Sequence, residues 1–146
     1  MKHGLEAAEE HPVHLLHREV TEKIIGAAFE VHQQPGYGFL ERVYQRALQV
    51  ELVRRGCSAE VETRIQVLCK GVVVGDYDAD LLVDSCVVVE IKVAADYDRH
   101  DEAQLLNELK ATGLKVGLLL NFGRTKLRIG ALFSESVFHP CLSVAE

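Results

Sequence analysis

The chain has 146 residues, 48% of them apolar, and a net charge of −6, which suits one domain with its own core and excludes general disorder. No apolar run approaches the ~18–20 residues a membrane helix needs, and Met1 to His17 hold no apolar stretch of the secretory kind, so a cytoplasmic protein without a membrane partner is expected. The acidic balance argues against strong non-specific affinity for nucleic acid, which relies on Lys and Arg facing phosphates, yet it leaves room for a nuclease whose site is itself made of carboxylates.

Residues 1–12 are expected to form a flexible N-terminal tail and 13–146 a single domain. From about Leu15 to Gln34, Leu16, Val20, Ile24, Ala27, Ala28 and Val31 recur at helical spacing. His11, His14 and His17 are spaced by three, so a helix would align them for a metal, although solvated histidines at a helix start are the commoner outcome. Pro35-Gly36-Tyr37-Gly38 breaks the pattern, and a second helix follows from about Phe39 to Arg55, stopped by Gly56. Within it Glu41 and Tyr44 share a face. With Gly38 as N-cap, Glu41 falls at the third helical position, where a carboxylate suits the helix dipole whether or not it serves a site. Tyr44 taken alone reads as packing.

Strand-like alternation runs through Val61, Thr63, Ile65 and Val67, and Lys70-Gly71 turns into Val72-Val73-Val74. Two apolar strands follow, Ala79 to Val83 and Val87 to Ala94, separated by the turn signal Asp84-Ser85. A helix is expected from Arg99 to Thr112, closed by Gly113, then a buried strand at Gly117 to Leu120 and a final strand from Lys126 to about Phe133. The order α-α-β-β-β-β-α-β-β implies an α/β fold, a mixed β-sheet flanked by helices. Cys57, Cys69, Cys86 and Cys141 are scattered, with no CxxC pair, and read as reduced thiols.

The chemistry concentrates in the strand Val87-Val88-Val89-Glu90-Ile91-Lys92-Val93-Ala94. Charge in so apolar a setting costs several kcal/mol per ion unless each finds a partner or a metal. Glu90 and Lys92 leave the same face of the strand. A hairpin turn centred on residue 85 puts Asp80 opposite Glu90, at the ~4.5–5.5 Å Cβ separation of a cross-strand pair. A one-residue slip would send Asp80 to the other face. Two acids that close hold a proton between them unless a cation does so. Asp80, Glu90 and a backbone carbonyl can ligate Mg²⁺ or Mn²⁺, which lowers the pKa of a bound water and offsets charge on a phosphate. Lys92 can orient or deprotonate that water. A cross-strand salt bridge at a sheet edge is the other reading of the same trio.

Gly38-x-x-Glu41-x-x-Tyr44, Asp80…Glu90-Ile91-Lys92, Gln104-Leu105-Leu106-Asn107 and Gly117-Leu118-Leu119-Leu120-Asn121-Phe122-Gly123, in this order over residues 15–133, resemble the GxxExxY protein family of the PD-(D/E)xK nuclease superfamily. The resemblance implies a restriction-endonuclease-like fold and metal-dependent hydrolysis of DNA or RNA. It implies Asp80 and Glu90 as metal ligands, Lys92 as the catalytic lysine and Glu41 as a further carboxylate on the metal. Gln104 becomes a polar neighbour of the site, and Tyr44 a supporting residue. Two positions depart from the family pattern and make the surface more acidic: Asp78, where a basic residue is common, and Glu108, where tyrosine is common. Asp78 shares parity with Asp80 and is expected on the metal face. Lys126, Arg128 and Arg124 could contact phosphates or simply guard a sheet edge, and His100 stands one helical turn before Gln104. The alternative function is a non-catalytic assembly or binding protein that keeps the nuclease fold, with a homo-oligomer as its natural form.

Overall fold

A computed structural model describes residues 16–135 and the backbone of 143–145. Its elements are α1 (Arg18–Gln33), α2 (Glu41–Arg54), β1 (Ala59–Cys69), β2 (Val72–Val83), β3 (Val87–Lys92), α3 (Arg99–Thr112), β4 (Val116–Asn121), β5 (Arg128–Phe133) and β6 (Ser143–Ala145). The strands form one sheet in the order β5-β4-β3-β2-β1-β6. All neighbours are antiparallel except β3 and β4, which run parallel. A parallel pair needs a long crossover, and α3 supplies it.

The sheet is covered on both faces, which is why β3 and β4 read as unbroken aliphatic runs. On one face Ile24, Ala28, Leu48 and Leu52 of α1 and α2 pack against Leu81, Val89, Ile91, Leu118 and Leu120. On the other, Leu105 and Leu109 of α3 pack against Val88 and Leu119. The architecture is the expected α/β class, a mixed sheet flanked by helices in a restriction-endonuclease-like arrangement.

Several boundaries differ from expectation. The segments around Val72–Val74 and Ala79–Val83 form one strand, because Gly75 and Asp76 stay in the ladder opposite Val67 and Gln66. The third helix is therefore preceded by three strands and followed by three, the last being the unanticipated β6. α2 begins at Glu41, capped by Leu40 without a side-chain hydrogen bond, so Glu41 is the first helical residue and Gly38 is not the N-cap. The cause lies in the loop before it. Gly36 and Gly38 adopt φ of 77° and 103°, and the Tyr44 hydroxyl donates to Gly36 O at 2.6 Å and accepts from Phe39 N–H at 3.4 Å. At the other helix, His17 is left-handed (φ 55°) and α1 starts only after it, while His11, His14, Cys141 and the 1–12 tail lie outside the described residues. Cys57 and Cys86 are thiols, both pushed up in pKa by burial first and Asp84 second.

The β2–β3 hairpin has the expected register: Leu81, Leu82 and Val83 face Val89, Val88 and Val87. Asp84 and Ser85 make its turn with φ of 49° and 56°. The ladder stops at Leu81/Val89. On the other side of β2, the β1 pairing skips Glu62/Asp80, and Glu62 is left-handed with φ of 52°. Asp80 thus sits where both of its ladders are interrupted.

Candidate active site

Asp80 is held from two directions. Ile91 N–H donates to Asp80 Oδ2 at 2.8 Å, so a carboxylate takes a main-chain donor beyond the last β2–β3 pair. Gln45 Nε2 of α2 donates to Asp80 O at 2.9 Å. Glu90 follows the last β3 residue paired with β2, and its carboxyl lies within hydrogen-bonding reach of Asp80. The Tyr77 hydroxyl donates to Glu90 Oε1. Burial, then the charge of Asp80, push the Glu90 carboxyl up to about 8, against the pull of the Tyr77 hydrogen bond. At neutral pH Glu90 therefore keeps its proton.

Glu108 of α3 joins this group. Burial raises its pKa, while hydrogen bonds from Tyr77 and Gln104 and the charge of Lys92 lower it. Tyr77 is raised in turn, by burial first and Glu90 second, so it stays a neutral donor between two carboxyls. Lys92 shares a small cavity of about 40 Å³ with Glu90, Asp101, Gln104, Leu105, Glu108 and Leu119. On the α2 side a larger cleft, about 450 Å³, is lined by Leu40, Glu41, Arg42, Gln45, Glu62, Asp80 and Ile91. Asp80 with Glu41 faces the large cleft, Glu90 with Lys92 and Gln104 faces the small one, and the acid pair connects the two.

The structure thus brings Asp80 and Glu90 together, sets Lys92 and Gln104 beside Glu90, and leaves Glu41 exposed on the cleft wall. Among the described residues no three His, Cys, Asp or Glu side chains are grouped to hold a metal ion. Tyr44 lines neither cavity. It is fully buried, stacks on Phe122 at 4.6 Å and 14°, and pins the loop that leads to Glu41.

Asp78 corrects the strand-parity expectation. It is exposed and ion-pairs with Arg64 of β1 at 3.3 Å. The irregularity at Glu62/Asp80 is the cause, because it reverses the faces of β2: Tyr77 and Ala79 pack with α3, while Leu81 and Val83 pack with α1 and α2. The same reversal swings Tyr77 onto Glu90, which alternation alone would have forbidden. Glu108 was visible in sequence only as a departure from a family pattern, and its place beside Tyr77 depends on long-range packing. The basic residues near β5 are engaged at home: Arg124 pairs with Asp96 at 3.6 Å, and the Arg128 guanidinium lies 4.9 Å over the Tyr97 ring. Lys126 precedes β5, and His100 is exposed and lines neither cavity.

A divalent cation, which this kind of site commonly uses, fits the donor set in one respect: two coupled carboxyls retain a proton that a cation would displace. No described helix is long and apolar enough to cross a membrane. A family model for the PD-(D/E)XK nuclease superfamily matches residues 18–130. No curated protein and no solved structure matches the chain.

Proposed function

Because this chain belongs to the PD-(D/E)XK nuclease superfamily, we propose that it hydrolyses phosphodiester bonds in DNA or RNA with the aid of Mg²⁺ or Mn²⁺, as a member of the GxxExxY group. The observation that carries this is the Asp80–Glu90 pair, one member raised to about 8, at the open end of the β2–β3 ladder beside Lys92.

Asp80 and Glu90 would hold the ion, with Glu41 reaching in from the cleft wall. When bound, it supplies an acidified water and offsets charge on the phosphate. The protein's residues do the rest. Ile91 N–H fixes Asp80 Oδ2 and the Tyr77 hydroxyl fixes Glu90 Oε1, which leaves the second oxygen of each acid for ligation. Glu90, protonated in the metal-free protein, would have to release that proton to serve as a ligand. Lys92, whose charge is felt by Glu108 and which shares the small cavity with Glu90, would orient the attacking water or hold a phosphate oxygen. Gln104 steadies Glu108.

Cleavage of single- and double-stranded DNA and RNA, with Mg²⁺ and with Mn²⁺, tests the proposal. Asp80→Asn and Lys92→Ala are expected to lower the rate at least about a hundredfold. Equal cleavage by Asp80→Asn, or no cleavage by a wild type that binds Mn²⁺, overturns it. A fold kept for assembly or binding without catalysis is the second reading, favoured by the added acids Asp78 and Glu108 and by the finding that no three His, Cys, Asp or Glu among the described residues are grouped to hold a metal ion. A monomer in light scattering that carries a tight Mn²⁺ site counts against it.

A further inference from the structure

The loop into α2 carries three large side chains that the described fold does not cover: Tyr37, Phe39 and Leu40 are 59%, 44% and 80% exposed. The loop is nonetheless ordered. The Tyr44 hydroxyl bonds both Gly36 O and Phe39 N–H, and Tyr44 is itself stacked in the core on Phe122. Phe39 meets Tyr44 edge-on at 6.2 Å and 79°. An apolar cluster fixed in place and left in water marks a binding surface.

Its surroundings indicate what binds. Of the three, Leu40 lines the cleft of about 450 Å³ together with Arg42, Glu41 and Asp80, so the cluster adjoins the cleft on its Asp80 side. Arg42 forms no ion pair among the described residues. Aromatic rings at the lip of the cleft, and an available guanidinium with Asp80 and Glu41 inside it, match the parts of a nucleotide: a base on the rings, its phosphate toward Arg42 and Asp80.

The base must be unpaired. In a duplex both faces of each base are already stacked on neighbours, and only a single or frayed strand can offer one to a protein ring. The charge distribution agrees. The chain has a net charge of −6, and Arg124 and Arg128 are committed to Asp96 and Tyr97. The acidic balance overall disfavours wrapping two phosphate backbones, whereas stacking gives affinity that does not rest on counterion release.

We propose that Tyr37, Phe39 and Leu40 form a stacking platform for an unpaired nucleobase, which makes single-stranded or frayed nucleic acid the substrate class; this rests on the nuclease reading above. The test is fluorescence anisotropy of a labelled thymidine oligonucleotide, alone and annealed to its complement, with Ca²⁺ in place of Mg²⁺ to suppress cleavage. The wild type is expected to prefer the single strand, with a shallow salt dependence. Tyr37→Ala with Phe39→Ala is expected to weaken single-strand binding about tenfold to a hundredfold, with the Mg²⁺-induced rise in melting temperature intact. Tyr37→Phe with Phe39→Trp is expected to keep the affinity. If the alanine pair binds the single strand as tightly as a wild type that cleaves, the platform is refuted and the nuclease reading stands. If the wild type neither binds nor cuts any nucleic acid, the nuclease reading falls and takes the platform with it. If the alanine pair turns a dimer into a monomer and leaves nucleic-acid binding unchanged, the surface joins two copies of the chain and the platform is refuted.

Discussion

Glu90 keeps a proton at neutral pH because it is buried beside Asp80, and this gives the metal-free protein a pH-dependent stability. Its carboxyl titrates at about 8 in the folded chain against an ordinary 4.5. Between those values the folded state binds a proton that the unfolded state has released, so stability is full below the lower value and falls as pH rises through the higher one. Each pH step of one between the two values removes about 1.4 kcal/mol at most, a few kcal/mol in all. Denaturant unfolding from acid to alkaline pH should show this decline, and Glu90→Gln should flatten it. A wild-type profile as flat as the variant's would mean that Glu90 is ordinarily ionised. A cation held by Asp80 and Glu90 would displace the same proton, so its affinity should climb with pH toward 8. Tyr77→Phe removes a hydrogen bond that holds Glu90 down, so the midpoint of that climb should move to higher pH. Calorimetric titration of Mg²⁺ across pH checks it, and an unmoved midpoint would assign Tyr77 to packing alone. The acid pair was legible in the sequence because a turn centred on Ser85 sets Asp80 against Glu90, although a one-residue slip was open until the Leu81/Val89 pairing settled the register. Tyr77 was hidden because period-two alternation fails where Glu62 turns left-handed.

At the level of elements, what holds Lys92 in place is the junction of β3 and β4. β3 ends at Lys92. Asn121 then continues the pairing with its side chain: Oδ1 accepts from Ala94 N–H at 3.1 Å and Gly123 N–H at 2.9 Å, and Nδ2 donates to Ala94 O at 3.1 Å. Phe122 N–H reaches Lys92 O at 2.9 Å. Asn121 is buried, so Asn121→Ala leaves these main-chain groups without partners and should cost about 1–3 kcal/mol. A melting experiment reads that loss, and a cleavage assay reads the freedom it gives Lys92. Gly123→Ala should be worse, because a Cβ there would stand 2.4 Å from Ala94 O. Equal melting of Gly123→Ala and wild type would show that the strands part easily. Helix α3 was legible to the residue. Asp98 accepts from His100 N–H at 2.8 Å at its start, and Gly113 takes φ of 77° at its end, both written in local sequence. The start of α2 was not, since its loop is shaped by Tyr44 reaching back from within the helix.

Over the whole molecule, the two-sided burial of the central strands was readable from composition and periodicity, and with it the fold class. The single long β2 was not, because Gly75-Asp76 looks like a break until β1 is beside it. Nor was β6, whose three residues carry no pattern of their own. A cation that binds only the folded chain should raise its melting temperature by mass action. At a hundred times its dissociation constant the gain is ~2.7 kcal/mol, or some ~5–10 °C for a domain of this size, and Asp80→Asn should abolish it. The β2–β3 ladder, which ends at Leu81/Val89 while β1–β2 and β3–β4 run on, gives that stabilisation an address. If the sheet opens locally, this is the line along which the β1–β2 hairpin should part from the β3–β4–β5 half, and the Ile91 amide, held by the Asp80 carboxylate, should exchange with it. Mg²⁺ would rivet the two halves, slowing deuterium uptake at Ile91 far more than at the central amides of β4. Uptake slowed evenly across the sheet would place the ion elsewhere.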